Sequence, residues 1–404
     1  MKRFFSILKG DRGIWLVMII LSLFSLLIVY SSTGSLAYRQ MGGNTFFYLA
    51  KQFVLILVGF GIILFIINYV PVKFMSIFSP IMLAVSFVLL LVALVLNVDA
   101  EATGRTFKVG FISFQPAELV KISMVLFVSR LLANNQDQEK TPSRKTFFWI
   151  LGISGLVCLA ISLSNFSTAA LLFATVMVLM FIGRVPLKFL LLTILGGVAV
   201  VVAFYFMATA IDLGRIDTVR GRIDRFIHGD PNSEIGITQA DYAEMAIYRG
   251  GQTGQGPGGS QVRNHMASAY NDFIFAILVE EYGWISFLVI LAYVIFAGRA
   301  GIIIKNSRRT FPAFMVAGLS LMFVMQAFIN MGVSVRLLPV TGQPLPWVSM
   351  GGTSTLFTAI SIGCILRVSY QNKLEQEPET KEQESREMEL PDEDHAFADA
   401  GAIL

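Results

Sequence analysis

The sequence predicts an all-α polytopic membrane protein, and three observations carry that prediction. Of its 404 residues 55% are hydrophobic and only 14% are charged, whereas a soluble domain is close to a quarter charged. Apolar stretches recur from Ile14 to about Val368, many of them long enough to cross a hydrocarbon core of about 30 Å. Between them, charge collects in a few polar segments and in the acidic stretch 371–404.

Ten transmembrane helices are expected, at 14–32, 46–69, 75–97, 116–132, 147–163, 167–183, 187–211, 279–301, 312–333 and 353–370. The opening MKRFFSILKGDRG is basic, but the apolar run after it is long and ends in no small-residue cleavage site. Residues 14–32 therefore read as a first span and not as a removed signal peptide. An even number of spans puts both termini on one side, and Lys and Arg make that side cytoplasmic. The inner segments carry KTPSRK (140–145) and KNSRR (305–309), while the short outer ones hold chiefly Arg39, Arg105, Lys108 and Arg336.

Three polar segments then share the extracytoplasmic face: 98–115, 335–352 and a large loop, 212–271, between spans 7 and 8. Loops longer than about 15 residues are usually functional, so the working surface is expected to face outward. Two units follow, a membrane domain at 1–370 and a cytoplasmic tail at 371–404. The tail holds eleven acids against three bases, a net of −8, which leaves +12 for the rest of the chain's +4. With so little apolar surface to bury, it is expected to be disordered. Cys158 and Cys364 lie inside apolar runs, so neither a disulfide framework nor a cysteine metal cluster follows. A membrane is the expected environment, and no nucleic-acid partner is expected.

Five stretches bear chemistry. In NDFIFAILVEEYG (271–283) an aspartate stands at the edge of an apolar run; Asp272 reads as a helix N-cap or as a proton acceptor at the interface. If the run is one helix, Glu280 and Glu281 lie about 80° and 180° round from Asp272, so the three acids do not converge on a metal. In FQPAELVK (114–121) Pro116 suits the first helical position. Lys121 lies near the positive helix end, where a cation needs an anionic partner: Glu118 at i−3, or a substrate anion. In TVRGRIDRFIHGDPN (218–232) three arginines alternate with acids, a loop paired within itself or a set of phosphate forks. GQGPGG (254–259) matches GxGxxG but has no strand before it and a proline inside it, so it is no dinucleotide fingerprint. It reads as a turn bringing backbone N–H groups close to something. In QAFINMG (326–332) Gln326 and Asn330 lie one turn apart, a helix-packing pair by default. The LPVTGQPLPWVSMGG that follows is irregular backbone that must be buried in protein or line a cavity.

FQPAELVK, YRGGQTGQGPGGS (248–260), NDFIFAILVEEYG and LPVTGQPLPWVSMGGTS (338–354), in that order over ten spans, resemble the SEDS family (shape, elongation, division and sporulation). These are the FtsW/RodA membrane polymerases of the bacterial cell wall, and the likeness leans to the division branch. It covers about 14–370 and not the acidic tail. It implies a peptidoglycan glycosyltransferase of the cytoplasmic (inner) membrane, at the division septum. Such an enzyme polymerises lipid II, a polyprenyl diphosphate-linked disaccharide-pentapeptide, with inversion and release of polyprenyl diphosphate.

The family's essential aspartate falls on Asp272, as general base, and its lysine and arginine on Lys121 and Arg105. Arg222 matches a further arginine; Glu118, Gln115, Ser260, Thr341 and Ser349 are the other motif positions expected to bind substrate. The resemblance also implies a class B penicillin-binding protein transpeptidase and other division proteins as partners. No metal site is recognisable; a divalent cation, Mg or Mn, is the one cofactor left open. Departures from the family pattern are Tyr270-Asn271 for His-Thr, Ala267-Ser268 for Pro-Glu, and NFSTA (165–169), which lacks the usual acid. The competing readings are a lipid II flippase and a non-catalytic division scaffold.

Overall fold

The computed structural model describes residues 9–42, 44–96, 107–109, 112–136, 143–210, 238–266 and 269–389. Helices stand at every one of the ten positions where spans are expected: α1 (Arg12–Ser32), α3 (Thr45–Tyr69), α4 (Val72–Leu96), α5 (Pro116–Gln136), α6 (Arg144–Ser162), α7 (Phe166–Ile182), α8 (Leu187–Ala210), α10–α11 (Ile274–Tyr282 and Phe287–Lys305), α12 (Thr310–Ser334) and α13 (Gly352–Glu389). Two short helices, α2 (Gly34–Met41) and α9 (Gln239–Gly250), a hairpin of β1 (Phe107–Val109) on β2 (Ile112–Phe114) and 3-10 turns at Val262–His265 and Gly283–Ser286 complete the described elements. Seven of the helices are long and apolar enough to cross a membrane by length and composition. Of the others, α5 carries Glu118, Lys121 and Arg130, and α7 is 17 residues long; α8 is apolar along its 24 residues.

Local sequence sets the helix starts. Asp11, Asn44, Ser143 and Asn165 each accept a hydrogen bond from an N–H of the first turn of α1, α3, α6 and α7, satisfying donors that would otherwise be orphaned. Pro116 opens α5, where its missing N–H costs nothing. The bundle is built around α12, nearly all of whose faces are buried, packed against α5, α7, α11 and α13. Leu16, Leu23, Phe53, Leu195 and Leu291 stay exposed on the perimeter, as lipid-facing residues must. Inside, hydroxyls bridge helices: Ser86 and Ser123 lie 2.7 Å apart between α4 and α5, and Gln52 of α3 donates to Ser25 of α1.

Two expectations need correction. The eighth segment is not one continuous helix, because Gly283 (φ +52°) breaks it and a 3-10 turn (Gly283–Ser286) re-aims the chain into α11. And the acidic tail does not lose its structure at 371, because α13 runs on to Glu389. Asn372 donates to the Ile303 carbonyl at 3.0 Å and Gln371 to Glu375 one turn on; farther out the helix carries Pro378, and an interior proline costs about 3 kcal/mol.

Candidate functional site

The irregular segment 338–351 runs from the exposed Leu338 into the protein, where residues 345–349 are buried, and side chains from across the bundle answer its backbone. Gln326 donates to the Pro344 carbonyl (3.1 Å), Asn330 to that of Gln343 (2.8 Å), Tyr293 to that of Pro346, and Ser25 to that of Val348 (2.9 Å). Such satisfaction is obligatory for non-helical backbone at this depth. Trp347 is held at φ +68° with its indole N–H on Ser22.

This segment in turn fixes the turn that carries Asp272. Three consecutive carbonyls are held: Tyr270 by the N–H of Met350 (3.2 Å), Asn271 by the hydroxyl of Ser349 (2.8 Å), and Asp272 by the amide of Asn330 (2.9 Å). Helix α10 starts only at Ile274, with no side-chain cap. Asp272 is therefore not an N-cap; its backbone is anchored and its side chain is half-buried. A Cβ built on Gly342 (φ +67°) would stand 3.8 Å from Asp272 Oδ2, which places the carboxylate beside that glycine. Burial, then the Asp272 carboxylate and Tyr48, push the Tyr270 hydroxyl above its ordinary pKa of 10.0, so it stays protonated.

Gly342 lies on the wall of a polar cavity of about 250 Å³. Gln115 and Glu118 reach it from the start of α5, Asn165 and Thr168 from the start of α7, and Asn271 from the Asp272 turn. Residues 342–344 and 350–354 close the remaining side at the start of α13. Three helices thus begin at this wall and α10 begins just past it. Helix N-termini carry positive partial charge and free N–H groups, so their convergence favours an anion. Gln343 ties two walls together by donating to Thr168 Oγ1 at 2.7 Å.

The expected site residues separate into groups. Gln115, Glu118 and the turn with Asp272 come together at the cavity. Lys121 does not face it: only 1% exposed, its ammonium lies 2.9 Å from Glu118 Oε1 and 3.2 Å from Gln326 Oε1. An unpaired cation one turn from a positive helix end would be costly, and Glu118 answers it. Ser260 and Ser349 are buried and held inside the protein, not presented to the cavity. Ser260 hydrogen-bonds Glu280 Oε2, and Ser349 bonds Asn271 O and Leu345 N. Thr341, half-buried, precedes Gly342 on the rim. Arg105 and Arg222 lie outside the described residues.

Sequence reasoning missed Asn165, Thr168, Asn271 and Gln343 as wall residues. The readable signal was the polar NFSTA turn between two apolar runs. Among the described residues no group of three or more His, Cys, Asp or Glu side chains is poised for a metal.

The glycine-rich turn has a structural partner. Gln255 N donates to Glu280 O (2.8 Å) and Gly256 N to Glu281 O (3.0 Å), while Gln252 O accepts from Trp284 N (3.0 Å). These bonds satisfy carbonyls at the C-terminal end of α10. At Gly254 (φ +75°) a Cβ would collide with Glu281 O, and at Gly250 with Val279 O. The two glutamates are fully buried. Glu280 meets Ser260 and Arg249 (3.7 Å); Glu281 meets Ser31 and Arg263 (3.5 Å). Beyond the turn an apolar cavity of about 620 Å³ runs between α1 and α3, with Leu26, Tyr30, Phe46 and Phe53 on its walls and Pro257, Gly258 and Tyr282 at one end.

Fold and cavity together define a polytopic helical membrane protein with a polar chamber at one end of its bundle. The chain belongs to the FtsW/RodA/SpoVE family, whose profile, described as Cell cycle protein, matches residues 11–374. It is 31% identical over 391 residues to the "Probable peptidoglycan glycosyltransferase FtsW" of Nitrosococcus halophilus, covering 92% of this chain and 97% of that one. Its fold matches a structure titled "Structural coordination of polymerization and crosslinking by a peptidoglycan synthase complex", with a TM-score of 0.70 at 20% identity over 90% of this chain and 98% of that one. Thermus thermophilus RodA matches with a TM-score of 0.60 at 19% identity, over 90% and 97%.

Proposed function

We propose that this chain is a peptidoglycan glycosyltransferase that polymerises lipid II into glycan strands at the outer face of the cytoplasmic membrane. In the topology proposed, ten spans with both termini and the acidic tail inside, the polar cavity faces outward. The observation that carries the reading is the Asp272 turn: three successive carbonyls are anchored while the carboxylate is kept beside the cavity glycine Gly342.

An acceptor sugar hydroxyl attacks the anomeric carbon of the donor. Its oxygen forms the new glycosidic bond, its proton passes to Asp272, and the bond from the anomeric carbon to the diphosphate oxygen breaks. A positioned base contributes about 10²–10⁴ in rate. In-line displacement inverts the anomeric centre. Polyprenyl diphosphate is already a competent leaving group and needs positive potential, not a second acid. The starts of α5, α7 and α13 supply it, with Arg105 and Arg222 as the proposed side-chain contributors. Lys121 acts here by neutralising Glu118, so that the wall does not repel the diphosphate. Carboxylate and amide oxygens such as those of Glu118 and Gln115 are the donors Mg²⁺ or Mn²⁺ would take. Polyprenyl chains suit the apolar cavity between α1 and α3.

Septal wall synthesis alongside a class B penicillin-binding protein is the setting proposed. The test is the purified chain with lipid II in detergent: wild type makes glycan strands and Asp272→Asn makes none. Translocation of lipid II across vesicles without strand formation would replace this reading with a carrier.

A further inference from the structure

At the opposite end of the bundle from the polar cavity lies an open hollow of about 420 Å³, formed by a single helix. Its position follows from the chain: α5 begins at the cavity and ends at Gln136, and Thr146 of α6 donates to Asn135 Oδ1 at 2.6 Å, tying the start of α6 to that far end. Arg144 and Lys145 stand at its mouth, Phe148 and Trp149 along its side, and Gly152 and Ile153 at its base.

The chemistry changes in order along this face. Arg144 and Lys145 are exposed in the first turn of α6, a turn with no acidic residue. Neither forms an ion pair with a carboxylate among the described residues. Cations at a helix N-terminus oppose the helix dipole, so the arrangement is favourable only when an anion joins it. The Phe147 ring, buried on the opposite face of α6, lies 5.2 Å from that of Phe189 and ties that face to the start of α8, which leaves the hollow's own face open. Below the cations, Phe148 and Trp149 are 60% and 65% exposed. A Cβ built on Gly152 meets nothing within 4 Å, so a strip of bare backbone lies open beside the two rings. Residues 145, 148, 149 and 152 share one helix face, and from 145 to 153 that face runs about 12 Å along the axis.

A ligand for this face has an anionic head and a hydrocarbon chain. We infer that the hollow is a site for an acidic phospholipid of the leaflet opposite the polar cavity. Arg144 and Lys145 receive its phosphate, and one acyl chain lies against Phe148, Trp149 and Gly152. Basic residues at the cytoplasmic end of a span attract acidic headgroups, and tryptophan favours the interface at that depth.

The experiment titrates the purified full chain in detergent with phosphatidylglycerol or phosphatidylcholine of identical acyl chains and reads bound lipid by native mass spectrometry. Phosphatidylglycerol binds, phosphatidylcholine does not, and millimolar inorganic phosphate does not displace it. Each basic residue near an anionic headgroup is worth about fivefold, so Arg144→Ala with Lys145→Ala weakens binding roughly 25-fold. Gly152→Leu fills the hollow with every charge kept and weakens binding too; Trp149→Ala does the same without adding bulk. Unfolding temperature in detergent verifies each variant. Equal binding of both lipids, unchanged binding in the double variant, or unchanged binding in both Gly152→Leu and Trp149→Ala overturns the site.

Discussion

Replacing Lys121 by methionine removes one charge from a pair that the fold has closed over. The ammonium is 1% exposed, the Glu118 side chain 10%, and they are 2.9 Å apart. On an exposed helix an i, i+3 pair is worth only a few tenths of a kcal/mol, but here the abandoned carboxylate stays in a protein wall. Breaking a buried pair by deleting one partner costs about 3–5 kcal/mol, whereas deleting both charges is often neutral or better. Lys121→Met is therefore expected to lose about 3–5 kcal/mol in a reversible denaturant titration in detergent. Glu118→Gln/Lys121→Met is expected to recover most of it. Strand synthesis from lipid II adds a second readout. If Lys121 serves to neutralise Glu118, the double variant polymerises faster than Lys121→Met. Wild-type stability in Lys121→Met, or a double variant as unstable as the two single losses summed, would refute this account of the wall.

Asp272→Asn is expected to reduce polymerisation by at least about 10²-fold with little change in unfolding temperature, since three carbonyls anchor the turn; partial retention above a tenth of wild-type rate argues against a base. Asn330→Ala strips donors from two carbonyls, Asp272 O and Gln343 O. It should cost roughly 2 kcal/mol or more and lower turnover more than it raises KM. Gly254→Ala and Gly256→Ala form a matched pair, since both are left-handed (φ +75° and +84°) but only the first collides with backbone. Both should lose about 1–2 kcal/mol for the backbone conformation, and the first distinctly more by thermal unfolding. Burial raises the Asp11 pKa, but Arg299 and the N–H groups of Ile14 and Gly13 outweigh it and hold the carboxyl below 3.8. Its stabilisation is thus present above that value and lost as pH falls through the lower, folded one. Asp11→Asn should be less stable than wild type at pH 7, with the gap closing towards pH 3.

Hydropathy placed helices at all ten expected positions because an apolar run of that length has one good solution in lipid. The polar motifs converge for a similarly local reason: each sits where a helix begins at one end of the bundle. Pairings across the sequence were not legible. Ser31 and Glu281 are 250 residues apart, and nothing near either announces the other. Lys121 looked like a phosphate ligand because its burial depends on α12 supplying Gln326. Asp272 looked like a cap because the helix start two residues later is set by Asn330, Ser349 and Met350, all more than fifty residues away. The break at Gly283 follows Glu280 and Glu281 within a run otherwise apolar enough to read as one helix, and the glycine-rich turn is docked against it.

That break bears on how the reaction centre lives in a fluctuating bilayer. Helix α10 is a nine-residue rod clamped at both ends, by the anchored turn before it and the glycine-rich turn after it. Thickness mismatch is ordinarily absorbed by tilting a span, and below Gly283 that tilt falls on α11. The carboxylate rides on the rigid piece, so its aim is insulated from the lipid composition that moves the rest of the segment.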